Sequence, residues 1–188
     1  MPEILSILIC HLPERQMLLD DLLNMLEPQC ADGRAKVYVD RDGGTIGAKR
    51  NRLLAKAQGE YCAFVDDDDM VCGTYVQDIL TAVETRPDCV GMSGWYFEGD
   101  DMLGMFKHSI EYRVWDDTGK GLARWFRPPN HLNPIKRCWI PTNPFPEVSM
   151  AEDRAYSERL LPFLHTEVVI PHPIYQYNRR QGSITSQL

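Results

Sequence analysis

The sequence has no closely spaced cysteine pair and no long apolar run. Its six cysteines lie far apart, and none forms the C-x-x-C spacing of zinc sites or the dense framework of small secreted proteins. The N-terminal "MPEILSILICHLPER" has only a short apolar stretch behind an acidic residue, which fits neither a signal peptide nor a membrane span. These absences predict a cytoplasmic protein without a membrane span.

The sequence also lacks an excess of positive charge, internal repeats and low-complexity segments. It has 27 acidic against 20 basic residues, a net charge of −7, which does not favour nucleic acid as a partner. Its 188 residues suit one domain that buries most of its apolar surface. We therefore expect a single globular enzyme or binding domain.

Strand-like and helix-like segments alternate over the first half of the chain. Apolar residues 4–10 precede a helical pattern that ends near Pro28. The same step recurs as "AKVYVD", "GAKRNRLLAKAQG", "EYCAFV", "TYVQDILTAVETRP" and "CVGMSGWYF". This alternation predicts a parallel α/β sheet with right-handed crossovers. Residues 98–148 lose the rhythm and predict antiparallel strands and long loops, before a helix at about 151–161 and the strand-like "TEVVIP".

Four consecutive aspartates follow the strand-like segment "EYCAFV". In open α/β sheets, ligands bind at the carboxyl ends of the strands, where Asp66, Asp67 and Asp68 begin. Carboxylate oxygens suit hard cations such as Mg²⁺ or Mn²⁺, whose other ligands are often phosphate oxygens. The alternative is a solvated acidic turn or a helix N-terminus, and Asp69 fits a helix cap.

The end of the second strand has a similar pattern. Asp40 and Asp42 precede glycines, so Asp40 could accept hydrogen bonds from a nucleobase or ribose, whereas the alternative is an Asp-Gly turn without a ligand. The next helix begins near Gly47, so its free N–H groups and basic side chains could bind a diphosphate. Its polar side chains are Lys49, Arg50, Asn51 and Arg52, and the alternative is a solvated basic face.

Two adjacent acids lie in "FPEVSMAEDRAYSERL". Ser149 and Glu152 match the S-x-x-E capping box, which assigns Glu152 to the helix N-terminus. Asp153 has no such role and could act as the base that accepts a hydroxyl proton. The alternative is that Asp153 only stabilises the helix dipole.

Taken together, these segments resemble the family 2 glycosyltransferases of GT-A fold. The resemblance runs through "SILIC", "DRDGGTIGAKRN", "AKAQGEYCAFVDDDD", "HLNPIKR", "FPEVSMAED" and "YQYNRRQGSIT". It implies a Rossmann-like mixed sheet flanked by helices, in one domain with a donor-binding half at 1–97. Residues 98–188 would form the acceptor-binding half, with a small antiparallel portion and a C-terminal lid.

The resemblance also implies roles for the acidic residues. Asp66 and Asp68 match the family's Asp-x-Asp motif with Asp67 as the spacer: Asp68 would be the main ligand of Mn²⁺ or Mg²⁺, and Asp66 would face the donor's ribose. Asp40 would recognise the base, with Asp42 as the alternative. Asp153 would be the catalytic base of a hexosyl or pentosyl transfer that inverts the anomeric carbon.

Several features leave the partners open. The common Pro-Thr-Tyr after the first strand is replaced by Cys10, His11 and Leu12, and no motif identifies the acceptor. His131 and Glu152 are candidates for acceptor or metal contacts, although a structural role for His131 is the alternative. Trp95, with Trp115, Trp125 and Trp139, is a candidate for sugar stacking or for the core.

The C-terminal tail and two rival functions complete the sequence hypotheses. Residues 179–183 predict a lid over the donor phosphates, with Arg180 as a contact, and a merely basic tail is the alternative. The rivals are a nucleotidyltransferase acting on a sugar phosphate and a non-catalytic module that binds a divalent cation. The expected partners are a nucleotide-sugar donor and an acceptor with a hydroxyl group. The class of acceptor is undecided, and a modified base in DNA is one of the alternatives.

Overall fold

The computed structural model describes residues 2–142 and 144–180, which form one sheet with helices on both faces. The strands and helices are β1 (Leu5–Cys10), α1 (Gln16–Leu26), β2 (Ala35–Asp40), α2 (Ile46–Lys56), β3 (Tyr61–Phe64), β4 (Met70–Val71), α3 (Tyr75–Ala82), β5 (Cys89–Glu98), β6 (Asp101–His108), β7 (Ala123–Arg127), β8 (Ile135–Lys136), α4 (Glu152–Leu160) and β9 (Glu167–Arg179).

The first half of the sheet is parallel, as the alternation predicts. β1 pairs in parallel with β2 on one side and with β3 on the other. β8 then pairs antiparallel with β3 and with the start of β5. The sheet is therefore mixed and flanked by helices, which confirms the expected fold class.

Residues 98–148 differ from the expected antiparallel arrangement in the pairing of β6 with β7. β5 and β6 form an antiparallel hairpin, but β6 and β7 run parallel, because the long connection between them returns the chain before β7 begins. β5 lies between β6 and β9, and β9 extends beyond the strand-like "TEVVIP" because it pairs with β5 as far as Glu98 and Arg179. The polar tail therefore begins later than its composition suggests.

Two apolar layers enclose β1, and this explains why all of its residues except Ser6 are apolar. Ile7 and Ile9 pack with the leucines of α1, while Leu8 and Cys10 on the other face pack with Leu53 of α2. Every residue of β1 is buried. A strand covered on both faces reads as a continuous hydrophobic run and not as an alternation. This burial fixes the carboxyl ends of β1 and β3, where the polar residues begin.

Candidate active site

A cavity of about 250 Å³ opens at the carboxyl end of β3 and reaches the first turn of α4. It brings together several residues that the sequence places far apart. Those predicted from the sequence are Asp66, Asp67, Asp68, Arg50, His131, Glu152 and Asp153. Carboxylates, guanidinium groups and an imidazole therefore share one enclosed space.

Asp66 is held by cationic partners at the edge of this cavity. Arg50 Nη2 donates to its Oδ1 at 3.1 Å, and His131 Nε2 lies 3.5 Å from its Oδ2. Burial alone would raise the pKa of Asp66, but the charge of Arg50 and then that of His131 hold it well below its usual range. Asp66 is therefore ionised at any pH at which the protein would work.

The negative charge of Asp68 is less well balanced by cationic partners than that of Asp66. Its Oδ1 lies 3.0 Å from Arg15 Nη1, and its Oδ2 lies 3.8 Å from Nε of Arg180. Burial raises the pKa of Asp68 to about 6; Arg15 opposes this rise, and the neighbouring charges of Asp66 and Asp67 add to it. Additional positive charge beside Asp68 would therefore be favourable.

Asp67 and Asp69 have structural roles, because their carboxylates accept hydrogen bonds from other parts of the chain. Asp67 is 1% exposed and accepts hydrogen bonds from His11 Nδ1, the Leu12 N–H and Arg15 Nη1, at 3.0, 2.8 and 2.9 Å. Asp69 accepts from the Tyr175 hydroxyl and from a backbone N–H of β9. The expected helix-cap role of Asp69 is wrong, because α3 begins only at Tyr75. Each of the four aspartates thus has polar partners that offset part of the mutual repulsion, and Asp67 and Asp68 share Arg15.

The carboxylates fit a cation only if a substrate completes its coordination. Among the residues that the structure describes, no cluster of three or more His, Cys, Asp and Glu side chains could hold a metal. Asp66 and Asp68 nevertheless present two carboxylates to the same cavity. Mg²⁺ is often bound by one or two carboxylates together with substrate phosphates. These two residues fit that mode of binding.

Asp40 and Asp42 lie outside the cavity lining. Asp40 is 1% exposed and accepts from Arg52 Nε at 2.8 Å, from Arg52 Nη2 at 3.1 Å and from the Asp42 N–H at 2.9 Å. Burial would raise the pKa of Asp40, but the hydrogen bonds from Arg52 and Asp42 outweigh it and lower that pKa. Asp42 itself is exposed. The Asp-Gly turn is therefore closed by Arg52.

The expected free N–H donors at the start of α2 are already used, so that interpretation is wrong. The Ile46 N–H donates to Ser149 Oγ at 3.4 Å, and the Gly47 N–H donates to the carbonyl of Val148 at 3.0 Å. A Cβ on Gly47 would lie 1.8 Å from the carbonyl oxygen of Pro146. Residues 145–149 therefore pack directly on the helix N-terminus, where a diphosphate was expected.

Only Arg50 of the four polar side chains predicted on α2 lines the cavity. Lys49 donates to the carbonyl of His11, and Asn51 exchanges two hydrogen bonds with the backbone of Phe145, at 2.9 and 3.1 Å. Arg50 is 4% exposed, lies over the ring of Phe64 and has no hydrogen-bond partner for Nη1 among the described residues. Its unpaired donor is therefore buried at the wall of the cavity.

The capping box at α4 is also wrong. The residue before the helix is Ala151, which has φ 59° and makes no side-chain cap, because Ser149 Oγ accepts from α2 instead. Glu152 is 6% exposed, and its Oε1 lies 3.4 Å from Arg50 Nε. Asp153 is half-buried, lines the cavity and accepts from the N–H of Arg154 at 2.7 Å. Glu152 thus serves as a counter-ion for Arg50.

The histidines at the cavity have different surroundings. His131 is 7% exposed, and within residues 2–142 and 144–180 neither of its ring nitrogens has a hydrogen-bond partner; its Nε2 lies at ion-pair distance, 3.5 Å, from Asp66 Oδ2. His108, which the sequence analysis missed, has Nδ1 3.2 Å from Asn133 Oδ1. Burial and the charge of Arg127 lower the pKa of His108 to about 3, so it is neutral at neutral pH. Its position at the end of a strand before "SIEYR" gives no local signal.

The tail and the tryptophans complete the placement of the predicted residues. Arg180 reaches Asp68, but Arg179 belongs to β9, and the remaining residues of the expected lid, 181–183, lie outside the described residues. Trp95 does not line the cavity, whereas its neighbour Tyr96 does, together with Trp125 and Tyr177. The alternation of a strand predicts that neighbours face opposite sides, but not which one faces the cavity.

Comparisons with known proteins agree with this architecture. The protein-family model described as Glycosyl transferase family 2 matches residues 19–158. A search of curated proteins finds no match. None of the helices in the described part of the chain is long and apolar enough to cross a membrane.

Solved structures share the fold. The structure of residues 1–349 of S. aureus TarS with UDP-GlcNAc has a TM-score of 0.69 and 16% sequence identity, and the match covers 98% of this chain but 61% of that one. TarS with UDP has a TM-score of 0.65 at 16% identity, covering 94% of this chain and 60% of that one. A glycosyltransferase involved in the glycosylation of the major capsid of PBCV-1 has a TM-score of 0.52 at 10% identity, with 93% of both chains covered. Because the family model matches residues 19–158, which is more than half of this chain, the chain belongs to glycosyltransferase family 2.

Proposed function

We propose that this chain transfers a sugar from a nucleoside diphosphate sugar to an acceptor hydroxyl, with inversion at the anomeric carbon. The observation that supports this most is that Asp153 shares one cavity with Asp66 and Asp68, while its neighbour Glu152 is paired with Arg50. Asp153 is thus available to serve as a base, while Asp66 and Asp68 suit a metal-bound diphosphate. The two rival functions need no such second acid.

The proposed donor is a uridine diphosphate sugar. The similar TarS structures contain UDP-GlcNAc or UDP, which makes UDP-GlcNAc the first donor to test. Asp66 and Asp68 would hold a divalent cation, Mn²⁺ or Mg²⁺, which would neutralise charge on the departing diphosphate. Arg50, with its unpaired Nη1, and Arg180 beside Asp68 are positioned to interact with phosphate oxygens.

In the proposed reaction, the acceptor oxygen attacks the anomeric carbon from the face opposite the diphosphate. The new C–O bond forms as the bond to the diphosphate breaks, and the electron pair leaves with the nucleoside diphosphate. Asp153 accepts the proton of the hydroxyl as the attack proceeds. Attack from the opposite face inverts the configuration.

The test is donor binding and nucleotide release with and without metal. UDP-GlcNAc with Mn²⁺ should raise the thermal stability of the parent, because a ligand that binds only the folded state stabilises it by mass action. Asp68→Asn should lose the metal-dependent part of this shift. Asp21→Asn, which changes an exposed carboxylate of α1, is the matched control and should behave as the parent.

Two results would contradict the proposal in different ways. If a chelator and Asp68→Asn both leave donor affinity unchanged, the metal role is wrong. If no nucleoside diphosphate sugar in a panel stabilises the protein or releases nucleotide, the proposed activity is wrong.

A further inference from the structure

Three half-buried aromatic side chains in the cavity have no role in the proposed chemistry. Tyr177 of β9, Tyr96 of β5 and Trp125 of β7 are each half-buried and line the cavity. The ring centroids of Tyr96 and Trp125 lie 4.4 Å apart in a stacked arrangement, and those of Tyr96 and Tyr177 lie 4.8 Å apart. We call this continuous row of rings the aromatic wall.

The sheet is built to allow the aromatic wall. Tyr96 and Tyr177 are direct partners in the register of β5 and β9, but β6 separates Tyr96 from β7. The residue of β6 opposite Tyr96 is Gly104. A Cβ there would lie 3.1 Å from Cζ3 of Trp125, closer than normal packing permits. The missing side chain therefore lets Trp125 reach across β6 and stack on Tyr96.

The aromatic wall begins beside the aspartate run. Tyr175, two residues before Tyr177 on β9, accepts from the Asp66 N–H and donates to Asp69. From there the wall crosses the sheet to Trp125 on β7. A molecule lying along it would have one end near Asp66 and would occupy the cavity that Asp153 lines. When a donor is bound at Asp66 and Asp68, the part of the cavity along the aromatic wall remains for an acceptor.

The charges beside the aromatic wall favour a neutral ligand. Two basic side chains beside it have acidic partners: Arg127 pairs with Asp117 at 3.3 Å, and Arg179 pairs with Glu98 at 3.6 Å. Arg127 also stacks on Trp115. Five carboxylates line the same cavity, namely Asp66, Asp67, Asp68, Glu152 and Asp153. The arginines that line it, Arg15, Arg50 and Arg127, each already face a carboxylate. Repulsion from these groups disfavours a phosphate backbone, although aromatic rings can stack on nucleobases.

We propose that the aromatic wall is the acceptor subsite and that the acceptor is a neutral carbohydrate, with Trp125 as its main specificity-determining residue. The apolar C–H face of a sugar ring is complementary to an aromatic surface, and the polar rim of the cavity would bind its hydroxyls. This inference rests on the proposed glycosyl transfer, since it assigns the second substrate of the same site.

The experiment measures binding of sugars without turnover. The probes are the methyl α- and β-glycosides of glucose, galactose, mannose and N-acetylglucosamine and their linear oligosaccharides, added to the full chain with UDP and Mn²⁺ and followed by saturation-transfer NMR. At least one probe should bind the parent. Trp125→Ala should weaken that binding about tenfold, the scale of losing one aromatic contact. Trp125→Leu keeps apolar volume but lacks a flat ring and should weaken binding similarly.

Trp95→Phe is the matched comparison, because Trp95 is the neighbour of Tyr96 on β5 but lies outside the cavity lining. Its sugar binding should stay within about twofold of the parent value, the range of a surface change. UDP binding, measured in parallel, should be the same in all variants. Thermal unfolding checks that Trp125→Leu is folded.

The outcomes separate this inference from the proposed function. If UDP and UDP-GlcNAc bind normally but no glycoside binds, or if folded Trp125→Leu binds sugar as well as the parent, the aromatic wall is not a carbohydrate subsite. Binding of single-stranded oligodeoxynucleotides in place of sugars, sensitive to Trp125→Leu, would overturn the carbohydrate assignment in favour of a base acceptor. Sugar binding that depends on Trp125 without any donor binding would support the subsite and contradict the proposed activity.

Discussion

Substitution of Glu152 and of Asp153, the adjacent acids at the start of α4, should affect different properties: the stability of the fold for Glu152 and the rate of sugar transfer for Asp153. Glu152 and Arg50 are almost fully buried and lie 3.4 Å apart, so Glu152→Gln removes the charge of one partner of a buried pair. Loss of one partner typically costs about 3–5 kcal/mol. Arg50 keeps Asp66 at 3.1 Å and its contacts with two aromatic rings, so we expect a cost of about 2 kcal/mol.

This cost corresponds to a lowering of Tm by about 4–8 °C for a chain of this size. Asp153 is half-buried, and its only hydrogen bond in the described structure is from the adjacent N–H of Arg154. Asp153→Asn should therefore change stability by less than about 0.5 kcal/mol. Its rate of sugar transfer should nevertheless fall about a hundredfold or more, because a general base is lost.

The assay combines thermal unfolding with single-turnover release of nucleoside diphosphate at saturating donor. Each variant is compared at a temperature well below its own Tm, so that loss of folded protein does not mimic loss of rate. Normal transfer by Asp153→Asn would refute its role as the base. A Glu152→Gln variant as stable as the parent would refute the buried ion pair as its main role.

Three further outcomes follow from the backbone and from burial. Gly47→Ala should destabilise the fold by about 3 kcal/mol in urea unfolding, because the new Cβ would lie 1.8 Å from the carbonyl of Pro146; an unchanged urea midpoint would contradict this packing. Ala151→Gly should stabilise it by about 1 kcal/mol, because φ is 59° there, and a loss of stability would argue against strain. Between pH 7.5 and pH 5, the free energy of unfolding of the parent should fall by roughly 2 kcal/mol more than that of His108→Gln. The reason is that the histidine binds a proton near pH 6.5 in the unfolded state, whereas the buried ring has a pKa of about 3. Parallel profiles of stability against pH would contradict this.

The positions of the acidic residues were predictable because they depend on strand ends. The apolar runs of β1 and β3 are bounded by polar residues, and parallel strands bring their carboxyl ends to one edge. The sequence thus predicted that Asp66 and Asp68 follow the carboxyl end of β3, which is where the cavity opens. It also predicted different roles for Asp153 and Glu152, but it assigned Glu152 to a capping box, whereas Glu152 pairs with Arg50.

The partners of these residues were not predictable because they come from distant segments. Asp69 is fixed by Tyr175 and Asn178 of β9, more than one hundred residues away in the chain. Ser149 fits a capping box locally, but its hydroxyl is taken by the start of α2. A four-residue pattern carries no information about such a competitor. The choice of Tyr96 over Trp95 depends similarly on which face of β5 the rest of the chain leaves uncovered.

The packing of residues 145–149 on α2 has a consequence for motion during a catalytic cycle. Two hydrogen bonds join Asn51 to the backbone of Phe145, and the Gly47 N–H binds the carbonyl of Val148. The segment that leads into Asp153 is therefore fastened to the helix that carries Arg50. We therefore expect these two groups to keep their relative positions if the cavity opens. Arg180 on the opposite rim is exposed, and its Nε lies 3.8 Å from Asp68 Oδ2, so it is held less firmly and is the group that we expect to move.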